Sequence, residues 1–351
     1  MKFLLLTLIT HTPDPVTGHQ LSTHQRLHQV VDNAVLAEQL GYDGYAVGER
    51  HERPFISSSP PVVLSHIAAK TSRIRLFTGV TTLSLLDPVR AFEDYATLDH
   101  LASGRLEIMI GKGNGSAQRD LFNITEDQQW DRNRESYEVF RRLWRNNKIT
   151  WSGSIRPPLV NAEVWPQPYQ PEVRVWHGSA TSTASVDLAV HYGEPIFSAN
   201  VTYSVEPYQQ LVEYYRQQWV AAGRDPEDAL VGAGSAGFLI RPTSQEAKAL
   251  FHPVFEARYG NSEIWHSYED FLERSSALVG SPAEISEKIL RYHEALGHEV
   301  MHLSADGDGL TPEQHREGLE LFQTDVAPQL RATIPSRPLL DAASATLPAS
   351  I

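Results

Sequence analysis

Residues 73–114 read RIRLFTGVTTLSLLDPVRAFEDYATLDHLASGRLEIMIGKGN. Positions 74–83 form a short run rich in β-branched residues, the pattern of a strand. Asp87 and Pro88 then open a helix: proline suits the first helical position, where its missing N–H costs nothing. That helix is expected to run to Leu101. Ser103-Gly104-Arg105 closes it, and 106–110 is the next strand. A strand, a crossover helix and a second strand make one unit of a parallel sheet.

The same unit recurs on both sides. Toward the N-terminus, 3–9 is a strand and 22–39 a helix, with Val30, Val31, Ala34 and Leu40 at helical spacing and Gly41 as C-cap. A strand over 43–47 and a helix over 58–70 follow. Toward the C-terminus, a helix over 134–145 leads into a proline-rich stretch, 149–172, without a clean period. Such a stretch inside a compact domain reads as a functional excursion. Strands are expected at 173–176, 196–199, 229–239 and 299–303. Helices are expected at 182–192, 207–222, 282–296 and 312–330, with helical pieces over 245–278. Eight alternations let a parallel sheet close, so the fold class is an α/β (β/α)8 TIM barrel with an irregular excursion on its C-terminal rim. The barrel domain spans 1–331 and a Pro/Ala/Ser-rich C-terminal tail 332–351. A doubly wound open sheet is the competing arrangement.

Composition narrows the functions. A net charge of −13 argues against nucleic acid as a partner. The absence of cysteine excludes disulfides, thiolate catalysis and Cys-based metal sites, and no metal site is expected. The opening MKFLLLTLIT is too short to span a membrane and reads as a buried first strand. A cytoplasmic protein with no membrane association is the expectation.

In such a barrel the chemistry sits just after each strand. After the second come Glu49, Arg50, His51 and Glu52, where a histidine among charges can act as acid, base or orienting donor. A salt-bridged rim loop without chemistry is the alternative. After the fourth come Gly111, Lys112, Gly113, Asn114 and Gly115. Glycines admit a ligand to backbone N–H groups and lysine adds charge, though a tight turn would use the same glycines. After the fifth come Gly178, Ser179, Thr181 and Ser182, opening a helix whose N–H groups can hold an anion; ordinary N-capping explains one of those hydroxyls. The fourth and fifth strands are neighbours, so Lys112 and the Ser179 loop can wrap one phosphate. Gly79, Val80 and Thr81 end the third strand, either as barrel interior or as a surface for a planar ring.

Several segments, in order, resemble the bacterial luciferase-like flavin monooxygenases: GYDGYAVGERHE (41–52), the 73–114 stretch above, VWHGSATSTASVDLAVHYGEPIFSAN (175–200), VGSPAEISEKI (279–289) and LFQTDVAPQL (321–330). The resemblance covers nearly the whole chain. It implies a TIM barrel that binds FMN, with the phosphate between Lys112 and the 178–182 loop and Arg134 adding charge. The flavin ring would lie against Gly79-Val80, at a non-proline cis peptide. It also implies a two-component monooxygenase, since the chain has no dinucleotide-binding motif: a transient flavin reductase supplies reduced FMN, and O2 and a small organic substrate are consumed. A homodimer is implied too, with Glu38, Asp94 and Asp99 on helices that relatives use for contacts. Two departures stand out. Glu49-Arg50-His51 replaces the Glu-His-His of many relatives, so His51 inherits no established role, and Lys112 stands where many have arginine, which keeps charge but loses the bidentate fork. An F420-dependent oxidoreductase on the same barrel and a non-catalytic partner subunit are the alternative readings.

Overall fold

The structure, a computed structural model, describes residues 1–113 and 115–337. Eight parallel strands close on themselves. They are β1 (Lys2–Thr7), β2 (Gly44–Val47), β3 (Arg75–Thr78), β4 (Leu106–Gly111), β5 (Val175–Ser179), β6 (Ile196–Ser198), β7 (Val231–Ala233) and β8 (Val300–Ser304). Each pairs with the next, and β8 pairs with β1 through Lys2↔Val300 to Leu6↔Ser304, which closes the barrel. The expected (β/α)8 TIM barrel is the fold found, and the open sheet is excluded.

Period-two alternation sorts the strand residues. Leu4, Ala46, Phe77, Met109, Trp176, Phe197, Leu230 and Val300 fill the interior as one buried cluster. Their outward neighbours pack against the helices. The lower interior also holds a buried ion pair, Arg75 Nε to Glu107 Oε1 at 3.2 Å, with Trp176 Nε1 donating to Glu107 Oε2 at 2.7 Å.

The helix Pro88–Leu101 has the expected bounds, with the Asp87 carboxylate accepting from the N–H groups of Val89 and Arg90. The helix Thr23–Leu40 ends on Gly41 at φ 84°, a left-handed conformation that favours glycine. Three expectations need correction. The third strand is not continuous over 74–83: a cis Gly79–Val80 peptide separates β3 from a short extension, Thr81–Thr82. The stretch 229–239 is two strands, because Phe238–Ile240 leaves the barrel to pair with Leu278–Gly280. The excursion contains an antiparallel pair, Ile149–Trp151 with Leu159–Ala162, whose alternation is too short to register as a period.

The expected tail starts within packed structure. Ile334 is buried and its carbonyl accepts from the Met1 N-terminus, and Arg337 pairs with Glu299 at 2.7 Å. Residues 338–351 lie outside the described residues. The three carboxylates on the helices that the resemblance assigns to subunit contacts are engaged within the chain. Asp99 is fully buried and accepts from Gln170 at 2.7 Å. Glu38 accepts the N–H groups of Ser72, Arg73 and Ile74, and Asp94 pairs with Arg90.

Candidate functional site

Register decides which rim loops meet. Ile110 of β4 pairs with His177 of β5, so the same register carries Lys112 alongside Ser179. The Lys112 carbonyl accepts from Ser84 Oγ at 2.7 Å and from Gln129 Nε2 at 2.8 Å. Those bonds fix the loop whatever the side chain does. The Lys112 ammonium lies 5.7 Å from the centre of the Trp130 ring, in the first turn of the helix Gln129–Arg145.

Across from it, Ser179 Oγ accepts from Ser182 N and donates to Ser182 O, both at 3.1 Å. This closes the chain into a turn at the head of the helix Thr183–Tyr192. Ser182 makes no side-chain cap there, so capping does not account for the row of hydroxyls. The first-turn N–H groups of a helix carry partial positive charge and suit an anion.

Glycines lower the mouth of the barrel beside this pair. A Cβ on Gly111 would meet Val80 Cγ2 at 2.9 Å, and one on Gly178 would meet Val80 Cγ1 at 2.7 Å. A Cβ on Gly48 would lie 2.6 Å from the Gly79 carbonyl. Without these glycines Gly79 and Val80 could not lie so low across the strand ends. The result is a flat, half-buried apolar shelf. Thr81 does not join it, since its hydroxyl turns to the Tyr95 hydroxyl at 2.6 Å.

The β2 loop closes another side. The buried Glu49 carboxylate is held at both oxygens, by His51 Nε2 at 3.0 Å and by the Thr82 N–H at 3.2 Å. The His51 ring meets Phe122 edge-on at 4.8 Å. A histidine oriented by a buried carboxylate is equipped to move a proton. Arg50 plays a different part: its guanidinium binds Glu52 and lies 4.6 Å from the Phe55 ring centre, so its charge is matched within the loop.

The structure thus brings Lys112, Gly178, Ser179, Ser182, Gly79 and Val80 to one rim, with Glu49 and His51 beside them. Thr181 is an exposed member of the same turn. Arg134 stands apart, exposed and paired with Asp131, in a groove of about 700 Å³ between the two helices named above. Asn114 lies outside the described residues.

Four contributors escaped the sequence reading. Trp130 and Phe122 belong to a segment without strong periodicity. Asn200, just past β6 at φ 55°, is buried, and among the described residues neither amide atom has a partner. Buried polar groups are rarely unpartnered, and here the orphan sits at the rim where a ligand would enter. Glu194 is the fourth. It accepts from His177 Nε2 at 2.7 Å and from the Tyr137 hydroxyl, and forms an ion pair with Arg141 at 2.9 Å. Burial alone would raise its pKa, but these partners outweigh burial and hold it below the usual glutamate range. The network ties the helix bearing Trp130 and Arg134 to β5, which bears the Ser179 turn. No local pattern marks it, because its members are up to 57 residues apart. On β8, His302 stacks on Phe197 at 5.7 Å, and burial lowers its pKa to about 4, leaving it neutral.

Among the described residues no group of three or more potential ligands could hold a metal ion, and no helix is long and apolar enough to cross a membrane. The shelf, the cationic rim and the orphaned Asn200 amide fit a planar cofactor ending in a phosphate.

The 4-hydroxyprotoasukamycin monooxygenase of Streptomyces nodosus is 24% identical over 319 residues, 85% of each chain. The oxygenating constituent of 3,6-diketocamphane monooxygenase from Pseudomonas putida, solved with FMN, superposes with a TM-score of 0.78 at 20% identity, over 94% of this chain and 98% of that one. The F420-dependent tetrahydromethanopterin reductase of Methanopyrus kandleri gives 0.72 at 17% identity, over 93% and 99%. At these identities the structural likenesses speak for the fold alone. The match spans about half the length of the first curated relatives. The sequence profile of the luciferase-like monooxygenases matches residues 1–299. The chain belongs to the luciferase-like monooxygenase family.

Proposed function

We propose that the chain binds FMN at this rim and acts as the oxygenase of a two-component monooxygenase, oxidising a small organic substrate with O2. A separate reductase supplies the reduced flavin. The observation that carries the reading is the meeting of Lys112 with the uncapped helix after Ser179, beside a glycine-floored shelf. Lys112, the Ser179–Ser182 turn and the first-turn N–H groups hold the phosphate, and Arg134 reaches it by leaving Asp131. Gly79 and Val80 support the ring. When bound, FMN supplies the oxygen chemistry, and the protein positions reactants and excludes water. His51, set by Glu49, holds a proton at the mouth, and Phe122 covers it from solvent. Asn200 offers a donor and an acceptor to a polar group entering past β6. The chain works as one barrel over 1–331 in the cytoplasm, and pairs with a second copy.

Both FMN and F420 enzymes share this fold, so the fold does not choose between them. Titration of the purified chain with FMN, oxidised and reduced, and with F420 makes the choice. One FMN per chain, bound more tightly when reduced, is the expected result. Tight F420 binding without FMN binding would replace the reading with a deazaflavin enzyme. A folded chain that binds neither is a non-catalytic subunit.

A further inference from the structure

The groove between the helices Gln129–Arg145 and Thr183–Tyr192 begins where the two rim loops end. Trp130, beneath the Lys112 ammonium, lines it. So does Ala184, in the first turn of the uncapped helix. From there it follows the outer face of the barrel to His191 and Tyr192. Its wall carries Asp131, Glu135, Glu138 and Asp187 against one guanidinium, Arg134.

The partners of those carboxylates match two of the four charges and leave two, on Glu135 and Asp187, against neutral groups only. Asp131 pairs with Arg134, and Glu138 with Arg142 at 2.6 Å. Glu135 accepts from the Ser154 N–H and hydroxyl. Asp187 accepts from the neutral Tyr214 hydroxyl at 2.9 Å. The potential therefore changes sign along one path: positive at Lys112 and the helix N-terminus, negative beyond. A ligand anchored by a phosphate meets attraction at the anchor and repulsion along any anionic extension into the groove. Like charges near a surface act on one another over about 10 Å at 0.1 M salt, which is within reach of an extension bound there.

We propose that this groove is a charge filter on the cofactor. It accepts a phosphate monoester that ends at Lys112 and rejects a phosphodiester that continues into a polyanionic tail. The inference rests on the phosphate reading of the Lys112 rim. FMN ends in its phosphate, whereas F420 continues through a phosphodiester into a lactyl-oligoglutamate chain whose every glutamate adds a carboxylate. Selection then comes from charge beyond the phosphate, with Glu138 and Asp187 as specificity-determining residues that lie off the phosphate loops.

The test is equilibrium binding, by fluorescence titration, of FMN, of F420 lacking glutamyl residues and of F420 with a long oligoglutamyl tail. The wild-type chain is expected to bind the long-tailed form at least about tenfold more weakly than the tail-less form at low salt, with the ratio falling toward unity at about 0.5 M salt. Charge reversal in the double variant Glu138→Lys, Asp187→Lys should abolish or invert the ratio, while FMN affinity stays within about threefold. The isosteric pair Glu138→Gln, Asp187→Asn should give a partial effect, and serves if the reversal does not fold. FMN binding with a tail-length ratio near unity, or a ratio that neither variant nor salt moves, would overturn the charge filter alone. Failure of FMN and tail-less F420 to bind the folded chain would overturn the phosphate reading and the filter with it.

Discussion

Lys112→Ala separates anchoring from folding, because the structure gives the side chain little else to do. Its loop is held by main-chain bonds from Ser84 and Gln129, which alanine leaves intact. The contact with the Trp130 ring is at 5.7 Å, and an exposed cation–π pair contributes about 0.5–1 kcal/mol. Stability should therefore fall by about 1 kcal/mol at most, a melting shift of roughly 2–4 °C. A hydrogen bond to a charged group contributes about 1.5–3 kcal/mol, so FMN should bind about 10- to 150-fold more weakly. Riboflavin, which lacks the phosphate, should bind both proteins alike. Lys112→Arg should stay within a few fold of wild type, since charge is kept. Fluorescence quenching titrations of both flavins, with a thermal melt of the free proteins, provide the measurement. Equal weakening of FMN and riboflavin, or no weakening of FMN, refutes the assignment of the phosphate to Lys112.

Three other substitutions probe the shelf, the network and the histidine. Gly178→Ala places a methyl 2.7 Å from Val80 Cγ1 and 3.2 Å from the Ile110 carbonyl; stability should drop by about 1–3 kcal/mol and affinity for FMN and riboflavin should fall together, read by urea unfolding and titration. Glu194→Leu takes the buried carboxylate from Arg141, leaving it only the exposed Glu172 at 3.2 Å and the Val173 carbonyl, and should cost about 3 kcal/mol in chemical denaturation. Because the folded pKa of Glu194 is depressed below the ordinary 4.5, its contribution is complete above that value and is lost as pH falls through the folded pKa. The wild-type stability curve should thus drop on acidification below about pH 4.5, and Glu194→Gln should drop less steeply over that range. His51→Gln should lower turnover with reduced FMN by about 100-fold or more while leaving FMN affinity within a few fold; unchanged turnover removes His51 from the chemistry.

The sequence carried the parts of this protein that depend on neighbours in the chain. Strand and helix alternation, the Asp87-Pro88 helix start, the Gly41 stop and the grouping of polar residues after strands are all local, and they were enough for an eight-stranded barrel. The adjacency of the fourth and fifth strands followed from that closure, so the pairing of Lys112 with the Ser179 turn was legible too. Family resemblance, not spacing, named FMN and located the Gly79–Val80 cis peptide. Other features depend on where side chains point once the barrel has closed. Thr81 looked like part of the ring surface, yet pleating turns its hydroxyl to Tyr95. Asp99 lies on a helix that the resemblance assigns to subunit contacts, yet the excursion folds over it and Gln170 satisfies it. Glu194, His177, Arg141 and Tyr137 come from three separate elements, and only packing makes them one network. The tertiary structure alone decided these points, because hydrogen bonding and burial are set by distances in space that sequence separation does not encode.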